Sequence, residues 1–157
     1  MFIEEDMPLV PLEDGDEVEI QLALQGGQVI YVAGQLENLD DDIIRIESKL
    51  IDPDTGEVRA EDERSIVMKP VEGEENLRQP DIRSRSQVSH LVVCPNDEPR
   101  NITDEPWELQ VTMSDLDGAR SATESLAVTP VCRQEAGERQ DLCSCQCEAD
   151  YEPGKCN

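Results

Sequence analysis

Apolar and polar residues alternate with a period of two along most of the chain, and helical periodicity is almost missing, a pattern that predicts strands separated by turns. In EVEIQLAL, residues 17–24, Val18, Ile20, Leu22 and Leu24 share one face while Glu17, Glu19 and Gln21 take the other. After Gly26 and Gly27, QVIYVAGQL brings Ile30, Val32 and Leu36 together. IIRIESKLI sets Ile44, Ile46 and Leu50 against Arg45, Glu47 and Lys49 and runs into DPDTGEV. That piece is a hairpin signal: Pro53 presets one turn dihedral, Asp52 and Asp54 can bond their own backbone, and Gly56 accepts a positive φ. The returning strand covers EVRA and, past the polar EDER, SIVMK. From Val71 to Ser86 alternation stops and turn formers accumulate, which predicts a long surface connection between sheets. QVSHLVV then leads to Cys94; after the loop PNDEPRNITDEP, WELQVTMS puts Trp107, Leu109, Val111 and Met113 on one face. The turn DLDG and the strand SATESLAVTPV complete the pattern.

About seven strands at this spacing, with no helix to carry a parallel crossover, predict an all-β fold, an immunoglobulin-like or fibronectin-type-III-like antiparallel β-sandwich with a short disulfide-rich C-terminal tail. A chain of 157 residues suits one such domain and an appendage. We expect an acidic linker over 1–13, the sandwich over 14–132 and a Cys-rich tail over 133–157. The block LEDGDEVEIQLALQGGQVIYVAGQLENL, with LIDPDTGEVRAEDERSIVMKPV and WELQVTMSDLDG, resembles Ig-like modules of bacterial secreted lipoproteins across roughly residues 10 to 131. The resemblance rests most on the Gln-Gly-Gly step between the first two strands. It implies an exported module without catalytic signature, tethered through an N-terminal lipidated cysteine and a short acidic linker. Here the first cysteine is Cys94.

Charge narrows the partners. With 37 acidic and 13 basic residues the net charge is -24, a field that repels phosphate backbones and anionic headgroups. We expect no nucleic-acid partner and no direct membrane insertion, since no run of eighteen or more apolar residues exists. The field favours a protein partner with a basic or cation-bridged surface, or a solvating role alone. Exposed sandwich edges also leave self-association or polymerisation open. Lysine occurs only at Lys49, Lys69 and Lys155, as in surfaces adapted to salt.

Six cysteines, Cys94, Cys132, Cys143, Cys145, Cys147 and Cys156, point to disulfides and an oxidising, extracytoplasmic compartment: periplasm, outer cell surface or secreted. MFIEEDMPLVPLEDGD lacks the basic start and apolar centre of a secretory signal, so we expect that a leader has been removed. From Cys145, CQCEADYEPGKC resembles the last loop of an EGF-like module, with Tyr151 at the aromatic position and Asp150 where that family carries glycine. A tail so poor in apolar residues needs cross-links to be ordered. The sharper alternative is a zinc or copper(I) thiolate site, against which stands the absence of C-x-x-C pairs. A redox C-x-C dithiol lacks the basic neighbours or helix N-terminus that activate a thiol. Cys94 and Cys132 both end predicted strands, and the pairing we favour joins them and leaves four for the tail. The competing connectivity joins each to a tail cysteine.

Acidic loop residues suggest calcium as a possible cofactor, with Asp115 and Asp117 of DLDG the first candidates and Asp40 to Asp42, Asp52 and Asp54 behind them. The plainer reading is that aspartate forms turns by bonding its own backbone. His90 lies in a strand with no nucleophile motif around it. Trp107 reads as a core aromatic, and one Trp, two Tyr and one Phe make an aromatic-lined glycosidase cleft improbable. Asn101-Ile102-Thr103 is a glycosylation sequon that matters only in a eukaryotic host. These observations lead us to expect a non-enzymatic structural or protein-interaction module of a cell-envelope or secreted protein, with a calcium-dependent adhesion module next and a small thiol-metal or redox protein third.

Overall fold

A computed structural model describes residues 10–23, 26–81, 84–133 and 137–156. In chain order the strands are β1 (Asp16–Glu19), β2 (Gln21–Leu22), β3 (Gln28–Val32), β4 (Leu36–Glu37), β5 (Ile43–Ile51), β6 (Val58–Val71), β7 (Glu74–Pro80), β8 (Ser89–Cys94), β9 (Trp107–Asp115) and β10 (Ser121–Val131), followed by helix α1 (Glu138–Cys147). A single 3-10 turn, Arg85–Gln87, precedes β8. Seven strands form one sheet in the order β1-β10-β9-β5-β6-β7-β4, and β2-β3-β8 form the second. The chain is an all-β sandwich with a cross-linked C-terminal tail. Leu24, Gln25 and the first nine residues of the acidic linker lie outside the described residues.

Alternation does what it predicts in the middle of the large sheet. On β5, Ile44, Ile46 and Leu50 are fully buried while Arg45 and Glu47 point away. Each such aliphatic side chain contributes on the order of 1.5–3 kcal/mol through removal from water. The DPDTG turn closes the β5–β6 hairpin through Gly56 N–H to Asp52 O at 2.8 Å, with the Asp52 carboxylate accepting the Asp54 amide at 2.8 Å. Gly56 takes φ 75°, the conformation its position demanded.

Four expectations change. The first predicted strand breaks at buried Ile20: β1 joins the large sheet and β2 the small one, so one segment serves both layers. QVIYVAGQL divides in the same way, crossing from β3 to β4 through Gly34, where a Cβ would stand 2.4 Å from Met113 Sδ. These divisions, together with β7, raise the count from about seven strands to ten among the described residues. Third, β1 pairs with β10 in parallel, Asp16 beside Val128 and Glu19 beside Val131, inside an otherwise antiparallel architecture. No hairpin links these two distant segments, so nothing local dictates their direction.

Fourth, the stretch read as a surface connection is strand. β6 runs unbroken through EDER, and β7 returns beside it with Met68 facing Pro80 and Lys69 facing Gln79. EENLRQP carries little alternation because β7 lies near the edge and buries little on either face; its ladder is made by backbone groups, which carry no side-chain signal.

The core has two parts. Val18, Ile20, Ile30, Leu50, Leu91, Trp107 and Leu109 pack in the larger one; Ile44, Ile46, Ile66, Met68 and Met113 form the smaller. Between them along β5 and β6 lie Ser48, Asp62 and Arg64, polar residues at inward-facing register positions. The Asp62 carboxylate takes Arg64 through Nε and Nη2 at 2.7 and 2.6 Å, the Ser89 hydroxyl at 2.8 Å and the His90 amide at 3.0 Å. It thereby ties β6 of one sheet to β8 of the other.

Candidate functional site

The cysteines converge at one end of the sandwich. Cys94 bonds Cys147, Cys132 bonds Cys143 and Cys145 bonds Cys156, with Cα separations of 5.2, 5.9 and 5.9 Å, all within the usual disulfide range. The favoured Cys94–Cys132 pairing is therefore replaced by the competing one, in which each strand-end cysteine joins the tail. A helix is the cause. Cys143 and Cys147 stand one turn apart on α1 and face the strand ends together, while Cys145 lies about 200° round the axis at 100° per residue and faces away. Read as extended chain, C-x-C-x-C would put all three sulfurs on one side.

Nothing in ERQDLCSCQC announces this helix. Gly137 caps it without a side-chain bond, and its buried residues are the two cysteines themselves. Ten residues of such composition hold no stable helix alone; the cross-links and the sandwich impose it. The tail is accordingly part of the body rather than an appendage, since Cys143 and Cys147 are fully buried in the larger core cluster.

A buried asparagine that sequence reasoning missed fastens the same end. Asn96 donates its backbone N–H to Gln146 O at 2.9 Å and accepts the Tyr151 N–H at 2.9 Å. Its side-chain amide donates to Arg100 O at 2.7 Å and Glu148 O at 3.3 Å, while Oδ1 accepts from Arg59 Nε and the Glu98 amide. Arg59 also donates to Val93 O and Pro95 O, on either side of Cys94. Arg100 pins the preceding loop to the DPDTG hairpin through Asp52 and Asp54, donates to Pro106 O, and lies 5.0 Å from the Trp107 ring. An Asn after a strand in a turn-rich loop is too common a signal to single out.

The first calcium candidates, Asp115 and Asp117, sit at the opposite hairpin, while Asp52 and Asp54 are the Arg100 partners just described. Both Asp115 oxygens face Arg120, at 2.8 Å from Nε and 3.5 Å from Nη2, and the Asp117 carboxylate accepts the Ala119 amide at 2.9 Å. Asp40 bonds Arg120, and Asp42 bonds Arg78. Asp117 thus takes the turn role of the plainer reading, whereas Asp115, Asp40 and Asp42 are held in ion pairs that neither reading named. Ser89 and His90, neighbours in β8, face opposite ways: the serine hydroxyl is on Asp62, and the His90 ring stacks edge-on against Tyr31 at 4.9 Å, its Nε2 beside Arg85 O.

A second surface is formed where the small sheet stops short of the large one. β1 covers β10 over Val128 to Val131, Gly15 donates to Ala127 O, and Asp14 accepts the Ala127 amide. Beyond this point no described residue pairs with the outer edge of β10 at Ser121, Thr123 and Ser125. Beneath that edge opens a cleft of about 630 Å³ lined by Leu12, Leu36, Val111, Met113 and Leu126, with Glu124 at its lip. Glu124 is exposed and shares the inward register of Leu126.

Comparison with family models, with curated proteins and with solved structures finds no match.

Proposed function

We propose that this protein is a non-enzymatic interaction module of a secreted or envelope-tethered protein, an immunoglobulin-like sandwich that takes an extended, basic segment of a partner protein along the free edge of β10. The observation carrying this reading is the run from Ser121 to Ser125, an edge without a strand partner among the described residues, above an apolar cleft. An added strand would satisfy its backbone groups and insert alternate apolar side chains into the cleft. Glu124 and the net charge of -24 favour lysine or arginine at the facing position and disfavour an acidic strand, including a second copy of β10. Three disulfides are compatible with an oxidising, extracytoplasmic location, and among the described residues no helix is long and apolar enough to cross a membrane.

The test is fluorescence anisotropy with a labelled peptide in which valine alternates with threonine and one central valine is replaced by lysine, so that the lysine shares the cleft-facing side with the remaining valines. Binding that weakens as salt is raised, and that is lost in Thr123→Pro and in Glu124→Lys, supports the reading. Proline at an outward-facing edge amide removes the donor and leaves the β9–β10 ladder intact. Binding equal in all three proteins, or none in the parent, overturns it.

A further inference from the structure

We propose that Cys94, Cys132, Cys143 and Cys147, when reduced, form a tetrathiolate site for a zinc-type divalent cation. This inference is independent of the β10 reading. The Sγ atoms of Cys132, Cys143 and Cys147 lie within 4.8 Å of one another, and Cys94 Sγ is bonded to that of Cys147, so four sulfurs share one pocket. Among the described residues no other group of three or more His, Cys, Asp or Glu ligand atoms is so close.

A tetrahedral zinc with bonds of about 2.3 Å holds its sulfurs about 3.8 Å apart. Opening the two disulfides lengthens the two bonded edges to that value; the Cys132, Cys143 and Cys147 sulfurs draw inward by at most about 1 Å, and Cys94 Sγ, which lies outside that 4.8 Å group, swings in by side-chain rotation. The ligands come from three separately anchored places: the end of β8, the residue after β10, and successive turns of α1. Cys143 and Cys147 are fully buried and Cys94 nearly so, while half-buried Cys132 provides the way in. Arg59, which brackets Cys94 through Val93 O and Pro95 O, supplies positive charge beside the thiolates. Spacing alone argued against a metal because it considered the tail cysteines together; the structure selects two from the tail and two from the sandwich, and leaves Cys145 and Cys156 outside.

The chemistry closes with a dithiol as reductant. Two equivalents give four electrons and four protons to the two disulfides, forming four thiols and two cyclic disulfides. Metal binding then expels four protons and leaves a site of charge −2. In an oxidising setting the tail is held by disulfides, and in a reducing one by the metal.

The full chain is reduced with excess dithiol, desalted under argon and titrated with Co²⁺. We expect one equivalent to bind with thiolate-to-cobalt charge-transfer absorption, release of four protons, and displacement by Zn²⁺. The Cys145→Ser/Cys156→Ser variant keeps this signal, and Cys143→Ser/Cys147→Ser loses it. Trp107 fluorescence and circular dichroism report folding in each case. The proposal is overturned if the reduced, folded chain gives no charge-transfer band, if the Cys143→Ser/Cys147→Ser variant retains it, or if reduction unfolds the chain and Co²⁺ does not restore it.

Discussion

Cys143 and Cys147, one turn apart on α1, both direct their sulfurs into the sandwich, the first to Cys132 and the second to Cys94. That relationship makes the C-terminal segment a floor of the core. It also orders the disulfides by importance. Cys94–Cys147 closes a separation of 53 residues and the other two close 11 each, so the chain-entropy model gives about 4 kcal/mol for the first and about 3 for either of the others. Guanidinium denaturation of Cys94→Ala/Cys147→Ala, which also empties part of the core, should show the larger loss, and Cys145→Ala/Cys156→Ala the smallest. Equal losses would mean that α1 is not anchored as described.

Asn96 is buried and engages groups from β6, its own loop and the tail. Replacing it with alanine strands several part-buried partners, each costing up to about 1–3 kcal/mol where water does not reach it. Urea denaturation should show Asn96→Ala as the most damaging single polar substitution at this end, with faster hydrogen exchange at the Tyr151 amide.

Asp62 carries a pH prediction. Burial pushes its carboxyl up, but the Arg64 guanidinium, the His90 amide and the Ser89 hydroxyl together outweigh burial and hold it below its ordinary value of 3.8. A carboxyl depressed in the folded state stabilises the fold above the unfolded value, and that stabilisation disappears as pH falls through the folded value. The parent should lose stability as pH drops below about 4, while Asp62→Asn, less stable at neutral pH, loses less over the same interval. Parallel curves for the two proteins, measured by thermal unfolding, would assign the acid sensitivity elsewhere.

Gly34 is set by space rather than by dihedral angle, because its missing Cβ is where Met113 Sδ comes close. Gly34→Ala should destabilise by about 1–3 kcal/mol through overpacking. Shortening the neighbour in Gly34→Ala/Met113→Val should recover part of that loss, a non-additivity that a double-mutant cycle on melting temperature reads directly.

Arg100 links the loop before β9 to the β5–β6 hairpin. Arg100→Lys keeps the charge but cannot donate to Asp52, Asp54 and Pro106 O from one planar group or stack on Trp107 in the same way. We expect it to cost nearly as much as Arg100→Ala and to shift the Trp107 emission, which a fluorescence spectrum checks.

What the sequence determined by itself was local: which side chains of β3, β5 and β9 face inward, where the DPDTG hairpin turns, and that the fold is all-β with cysteines suited to cross-links. Strand pleat has a period of two regardless of what lies opposite, so the pattern is legible without the partner. Tertiary structure decided everything that depends on two distant segments meeting. A helix with no apolar stripe exists because sulfur bonds and the Asn96 hub hold it, and that helix in turn sends Cys143 and Cys147 one way and Cys145 another. Polar β7 became strand through pairing with a distant ladder, Ile20 and Gly34 became points where the chain changes sheets, and Asp62 turned inward because Arg64, Ser89 and the His90 amide were there to receive it. Alternation reports burial against a generic surface; pairing, direction and polar satisfaction are set by particular atoms brought together from far along the chain.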